Sequence, residues 1–137
     1  MSIHQNKRLW QRHVLAENRR SIDGLLATLS AEPVYQVMAT GAMHQGRQAV
    51  ARFYESLFVS MPNVSFELAD VYVGENGVVE ESVLTGAQAG DLFGLTATGR
   101  DVHLPLTIVF PMRDGQILGE RLYFDLDSLQ RQLGLRS

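Results

Sequence analysis

Residues 102–125 read VHLPLTIVFPMRDGQILGERLYFD. Two apolar runs, Val102 to Met112 and Gln116 to Asp125, flank Asp114-Gly115. An Asp-Gly pair between such runs is a strong hairpin signal, because both residues tolerate the positive φ that a two-residue turn demands. The stretch therefore predicts two long antiparallel strands. With a two-residue turn, Leu104 is expected opposite Asp125, Leu106 opposite Tyr123 and Ile108 opposite Arg121. Directly opposed residues share a sheet face, so this register sets Asp125 and Tyr123 among leucines. Desolvation would raise the pKa of a carboxylate in that setting. A bulge of one residue would overturn the assignment of the face.

Outward from this hairpin the pattern repeats. Ser65 to Val73 and Val78 to Ala87 flank Asn76-Gly77, a second two-residue turn signal. Gly90 to Gly99 is a wide connection rich in Gly and Thr. The first half reads as helical. Lys7 to Arg20 and Ser21 to Leu29 carry apolar positions at helical spacing, and Glu32-Pro33 breaks that run. Val34 to Met38 is a short strand and Gly41 to Gly46 a loop. From Arg47 to Met61, Val50, Phe53, Tyr54, Leu57, Phe58 and Met61 recur at i, i+3, i+4, i+7, i+8 and i+11, and Pro62 follows at once. After Asp125, Asp127 with Gln130 makes a capping box for a short C-terminal helix. Helices first and hairpins second indicate an α+β fold, with helices on one face of an antiparallel sheet.

Length predicts one domain, residues 1–137. Hydrophobic residues make up 45% and charged residues 20%, which argues for a globular chain rather than a disordered one. A net charge of -3 offers no electrostatic case for nucleic acid or an anionic membrane. No apolar run approaches the ~20 residues that span a bilayer, and the polar N-terminal stretch has no signal-peptide core. The lack of cysteine excludes disulfide and thiolate chemistry and fits a cytoplasmic location. The four histidines, His4, His13, His44 and His103, show no ligand spacing, so no metal is expected. His44 lies in the loop before Gly46-Arg47 and reads as exposed; His13, near Trp10 and Glu17, reads as a helix-surface residue with the pocket mouth as its alternative; His103 reads as facing away from Asp125, and a bulge would bring it inside. Glu80-Glu81 puts one acid on each sheet face.

Three groups of residues resemble the nuclear transport factor 2-like superfamily, in its SnoaL-like polyketide cyclase branch. The first is Tyr35 with Gly46-Arg47-x-x-Val50-x-x-Phe53-Tyr54, Leu57-Phe58 and Pro62. The second is Thr85-Gly86-x-x-x-Gly90 with Phe93-Gly94-Leu95 and Ala97-Thr98-Gly99-Arg100. The third is Asp114-Gly115-x-Ile117, Glu120, Tyr123-Phe124-Asp125 and Gln132-Leu133-Gly134. The resemblance implies a cone, in which a bent antiparallel sheet wraps the N-terminal helices around an internal pocket. It also implies that Asp125, at the end of the last strand, serves as acid and base in a cofactor-free cyclisation. Relatives often carry His within Gly-Thr-His-Thr-Gly, where this chain has Thr85-Gly86-Ala87-Gln88-Ala89-Gly90. Gln88 can orient a carbonyl but cannot shuttle a proton.

The expected site follows. Asp125 and Tyr123 are the catalytic candidates, Tyr123 donating its hydroxyl to a developing oxyanion. Tyr35, Tyr54, Phe58, Gln88, Leu104 and Leu106 are expected to line the pocket and hold a small apolar carbonyl compound for cyclase- or isomerase-type chemistry. Two other readings stay open: a pocket that binds without chemistry, and a dimeric interaction module. Asp125 also has a bland alternative as a helix cap. A homodimer is expected, because the register leaves Val109, Leu122 and Phe124 as an outer apolar patch.

Overall fold

In the computed structural model, which describes residues 2–136, the chain runs α1 (Ile3–Asn18), α2 (Ile22–Leu26), β1 (Leu29–Val37), β2 (Ala42–Gln45), α3 (Arg47–Ser60), β3 (Ser65–Gly74), β4 (Gly77–Ala87), β5 (Asp101–Arg113), β6 (Gln116–Phe124) and α4 (Leu126–Gln132). The strands form one sheet in the order β2-β1-β6-β5-β4-β3. Every neighbouring pair is antiparallel except β1 with β6, which run parallel. The sheet is thus mixed, not wholly antiparallel. Alternate residues of β5 from Val102 to Met112 are buried, together with Val78 and Leu84 of β4. Against them pack Leu9, Trp10 and Ala16 of α1 and Val50, Tyr54 and Leu57 of α3. Asn6 ties α1 to the β3–β4 turn, its side-chain amide donating to the carbonyls of Gly74 (2.8 Å) and Glu75 (3.0 Å). Among the described residues no helix is long and apolar enough to cross a membrane.

The first half departs from expectation between Ser21 and Gly46. Ser21 caps only a five-residue helix, and the chain enters β1 at Leu29. Pro33 lies inside β1, where the pairing with β6 is irregular between Leu29 and Val34; a strand tolerates a residue without an N–H at such a break. Ala42 to Gln45 is strand rather than loop, and it folds back on β1 so that His44 lies opposite Tyr35. The β3–β4 turn is Glu75-Asn76, one residue earlier than the Asn-Gly signal suggests, since Gly74 pairs with Gly77. A Cβ on Gly77 would come within 2.1 Å of the Phe110 carbonyl oxygen, so the glycine serves a close approach of strands.

The Asp114-Gly115 turn forms as expected, with φ of 54° and 77°, and Arg113 pairs with Gln116. The register does not survive beyond it. Met112 pairs with Ile117 and Val109 with Arg121, so Phe110 and Pro111 face Leu118, Gly119 and Glu120. This is a β-bulge in β6. Gly119 has φ 153°, and a Cβ there would lie 1.8 Å from the Val34 carbonyl oxygen of β1. The extra residue turns the far half of β6 over. Thr107 now faces Tyr123, and Leu106 faces Phe124. Glu120 and Leu122 are buried, whereas Tyr123 is 41% exposed and Asp125 is exposed. Of the outer patch expected for a dimer, Leu122 is in the core and Phe124 is half-buried against it.

Candidate functional site

A cavity of about 740 Å³ lies between α3, the β1–β2 hairpin and the connection from Gln88 to Arg100. Helical spacing builds one wall. Ala49, Arg52, Phe53, Ser56 and Ser60 recur along one flank of α3, beside the row that enters the core. Val37 and His44 come from the hairpin, and Leu92 and Phe93 from the connection. The His44 ring rests on Phe53 at 5.0 Å between centroids. Burial pulls the His44 pKa below its ordinary 6.5, so at neutral pH the imidazole is uncharged and can accept a proton. Arg52 and Asp91, both exposed on one side, supply the charged groups of the cavity wall.

The connection is held as a unit by Gln88. Its main chain bonds Arg100 and Gly99, with N to Arg100 O at 3.0 Å and its own carbonyl accepting from Gly99 N at 3.1 Å. Its side chain donates to Leu95 O at 3.0 Å and accepts from Thr98 N at 3.0 Å. The Ser60 carbonyl accepts from Ala89 N and Gly90 N, fastening the near end to α3. Leu92 and Leu95 exchange two backbone bonds around Phe93 and Gly94, both at positive φ (50° and 81°). Phe93 stacks on Phe124 at 5.0 Å and 29°. Gln88 is fully buried and organises the cavity wall without lining the cavity.

The core also holds a buried polar network. The parallel pairing sets Tyr35 beside Glu120. Glu120 Oε2 accepts from the Tyr54 hydroxyl at 2.9 Å and lies 2.9 Å from His13 Nε2. Tyr35 and Tyr54 share a hydrogen bond between their hydroxyls. Thr28 donates its hydroxyl to Leu25 O at 2.6 Å and sits 2.8 Å from His13 Nδ1, so Nδ1 carries a hydrogen. Burial first, and Glu120 second, push both tyrosines well above their ordinary pKa, so they stay protonated donors. Close by, Glu80 accepts from Trp10 Nε1 at 2.9 Å and from the Ser82 hydroxyl; burial outweighs these bonds and raises its pKa. The network pins α1, α3, β1 and β6 together.

The expected residues therefore scatter. Tyr35, Tyr54, Leu104 and Leu106 are buried in the core and do not line the cavity. Phe58 stacks on Tyr54, with the Arg20 guanidinium 5.4 Å from its ring centre. Asp125 caps α4, one carboxylate oxygen accepting from Asp127 N (3.0 Å) and Ser128 N (3.3 Å), the duty that the sequence reading assigned to Asp127. Asp127 instead pairs with Arg131 and Arg136. His103 faces outward as expected; His13 is buried rather than on the helix surface. Glu80 is the inward acid and Glu81 the outward one. His44 was the site residue least visible from sequence. The alternation of Tyr35 and Val37 with Ala42 and His44 about Gly41 was the signal that could have found it. An isolated glycine in a strand pattern, Gly119, was the signal for the bulge. Among the described residues no three His, Cys, Asp or Glu side chains gather as a metal site would require.

Helices packed on a six-stranded mixed sheet, with a cavity along the flank of α3, define a small α+β fold. The sequence model of the SnoaL-like polyketide cyclase family matches residues 7–133, and the chain belongs to that family, within the nuclear transport factor 2-like superfamily. No curated protein matches it significantly in sequence. Among solved structures, a protein from Jannaschia sp. CCS1 assigned as a SnoaL-like polyketide cyclase superimposes with a TM-score of 0.85 at 23% identity, over 98% of this chain and 94% of that one. A protein from Xanthomonas campestris pv. campestris assigned as a polyketide cyclase is 29% identical over 95% of this chain and 97% of that one, with a TM-score of 0.79. TsrD from Streptomyces laurentii is 24% identical, covers 98% of each chain and has a TM-score of 0.81.

Proposed function

We propose that this chain performs acid/base chemistry of cyclase or isomerase type on a small apolar carbonyl compound held in the cavity beside α3. One observation carries the reading: the His44 imidazole stands in the wall of a cavity whose apolar lining includes Val37, Phe53, Leu57, Leu92 and Phe93. A neutral imidazole takes a proton α to a carbonyl, and the resulting enolate either attacks a second carbonyl of the same molecule or is reprotonated at another carbon. Such proton transfer asks for no cofactor. The cavity size suits a drug-sized ligand. His44 takes the base's role here in preference to Asp125, whose carboxylate is exposed and engaged with two backbone amides. Tyr123, exposed on the other face, is likewise left outside the reaction. Gln88 serves by shaping the wall, and Tyr35, Tyr54, Phe58, Leu104 and Leu106 by supporting it from behind.

The capping position of Asp125 favours a second reading, in which the pocket binds its ligand without chemistry. Turnover of a panel of β-keto esters by wild type, His44→Asn and Asp125→Asn separates the two, with melting temperature as the folding control. The expected result is loss of turnover of a hundredfold or more in His44→Asn, and near-wild-type turnover and melting in Asp125→Asn, since Asn caps about as well as Asp. Unchanged turnover in His44→Asn removes His44 as the base. Loss confined to Asp125→Asn returns the role to the strand-end acid. Binding of the esters with no turnover by wild type supports the second reading.

A further inference from the structure

Among the described residues, one cation, Arg52, lines the cavity, and no ion pair engages it. Arg52 stands on the flank of α3 that carries Ala49 and Phe53, and it is one of the residues that line the cavity. The ion pairs among the described residues are His13 with Glu120, and Asp127 with Arg131 and with Arg136; none involves Arg52, and no hydrogen bond holds it. The other charged group of the wall, Asp91, makes no ion pair with Arg52; its Oδ1 accepts from Ala97 N at 3.2 Å. His44 is uncharged at neutral pH and does not compete for an anion. A guanidinium presents a planar fork of donors that matches a carboxylate with two parallel hydrogen bonds. Such a bond is stronger at the edge of an apolar cavity than in open water.

From this arrangement we infer that the ligand is an apolar carboxylate, with its ring or chain against Phe53, Leu92 and Phe93 and its carboxylate on Arg52. The inference rests on the reading that this cavity is the ligand site. It narrows the substrate class from carbonyl compounds in general to keto acids with a hydrophobic body.

The test uses 2-naphthylacetic acid and its methyl ester, which share a body and differ in charge. Their dissociation constants are measured by calorimetry at neutral pH and low salt. Wild type is expected to bind the acid about tenfold more tightly than the ester, and that ratio is expected to shrink at high salt. Arg52→Gln is expected to bring the ratio near one, Arg52→Lys to restore part of it, and Asp91→Asn to increase it by removing a like charge. Melting temperatures confirm folding, since both residues are exposed. A ratio near one in wild type, or a ratio unmoved by Arg52→Gln, overturns the carboxylate assignment while ester binding upholds the cavity as the site. Failure to bind either compound counts against both readings. Ala49→Phe, which narrows the cavity, is expected to weaken both compounds together; binding indifferent to it places the ligand elsewhere and overturns both.

Discussion

Glu17 shows how a single carboxyl sets a pH limit on the fold. It stands half-buried on the face of α1 that also carries His13. Desolvation, followed by the charges of Glu120 and Glu80, pushes its pKa well above the ordinary 4.5. The folded chain therefore keeps a proton that the unfolded chain releases. Between the two pKa values the folded state binds more protons, so stability rises as pH falls. The contribution is fully present below about pH 4.5 and is lost as pH rises through the folded value. Glutamine keeps the shape and removes the charge. Glu17→Gln should melt above wild type at pH 8 and level with it near pH 4. Thermal denaturation at the two pH values checks this, and an equal difference at both would show that charge is not the cause. At this scale Glu80 was half legible: two adjacent acids on a strand must face opposite sides, but which one enters the core depends on a register that no neighbouring residue states. Glu120 was less legible still, because its face depends on the bulge.

Among the elements, β6 decides most. Gly119 lets the strand take in one extra residue while pressed against Val34, and every side chain beyond it changes face. The prediction is direct. Gly119→Ala puts a methyl group on the Val34 carbonyl and asks for a conformation that disfavours a Cβ, so it should cost on the order of 3 kcal/mol. Urea denaturation of wild type and variant measures it; a midpoint unchanged within error would mean that β1 gives way easily. The helix from Arg47, the turn at Asp114-Gly115 and both late hairpins were legible because their signals are local: spacing, a stop at Pro62, turn residues. The parallel partnership of β1 with β6 was not, because it joins segments far apart in sequence and no turn announces it. The face of Asp125 followed a correct turn and an incorrect count of residues after it.

At the scale of the whole molecule, the outer sheet face carries large aromatic side chains open to solvent. Tyr72 and Tyr123 are exposed on it, at 54% and 41%. Tyr72 donates to both Asp70 and Glu81, and hydrogen bonding to the two carboxylates drives its pKa up to about 12. We propose that a second copy covers this face. The patch differs from the one expected from sequence, since the bulge exchanged Leu122 and Phe124 for Tyr123. Light scattering should return twice 15.3 kDa at micromolar concentration, and Tyr123→Glu should lower it toward one copy. A wild-type mass of one copy rejects the pairing.

Gln88 gives the fold a modular seam. Because its side chain and main chain clamp both ends of the connection, the residues between them bond chiefly to one another and to α3, while Phe93 reaches across to stack on Phe124. The cavity wall can be rewritten there, in length or in chemistry, without re-threading a strand. Substitutions in that insert would change the chemistry of the cavity wall while the hydrogen-bonded sheet stays as it was.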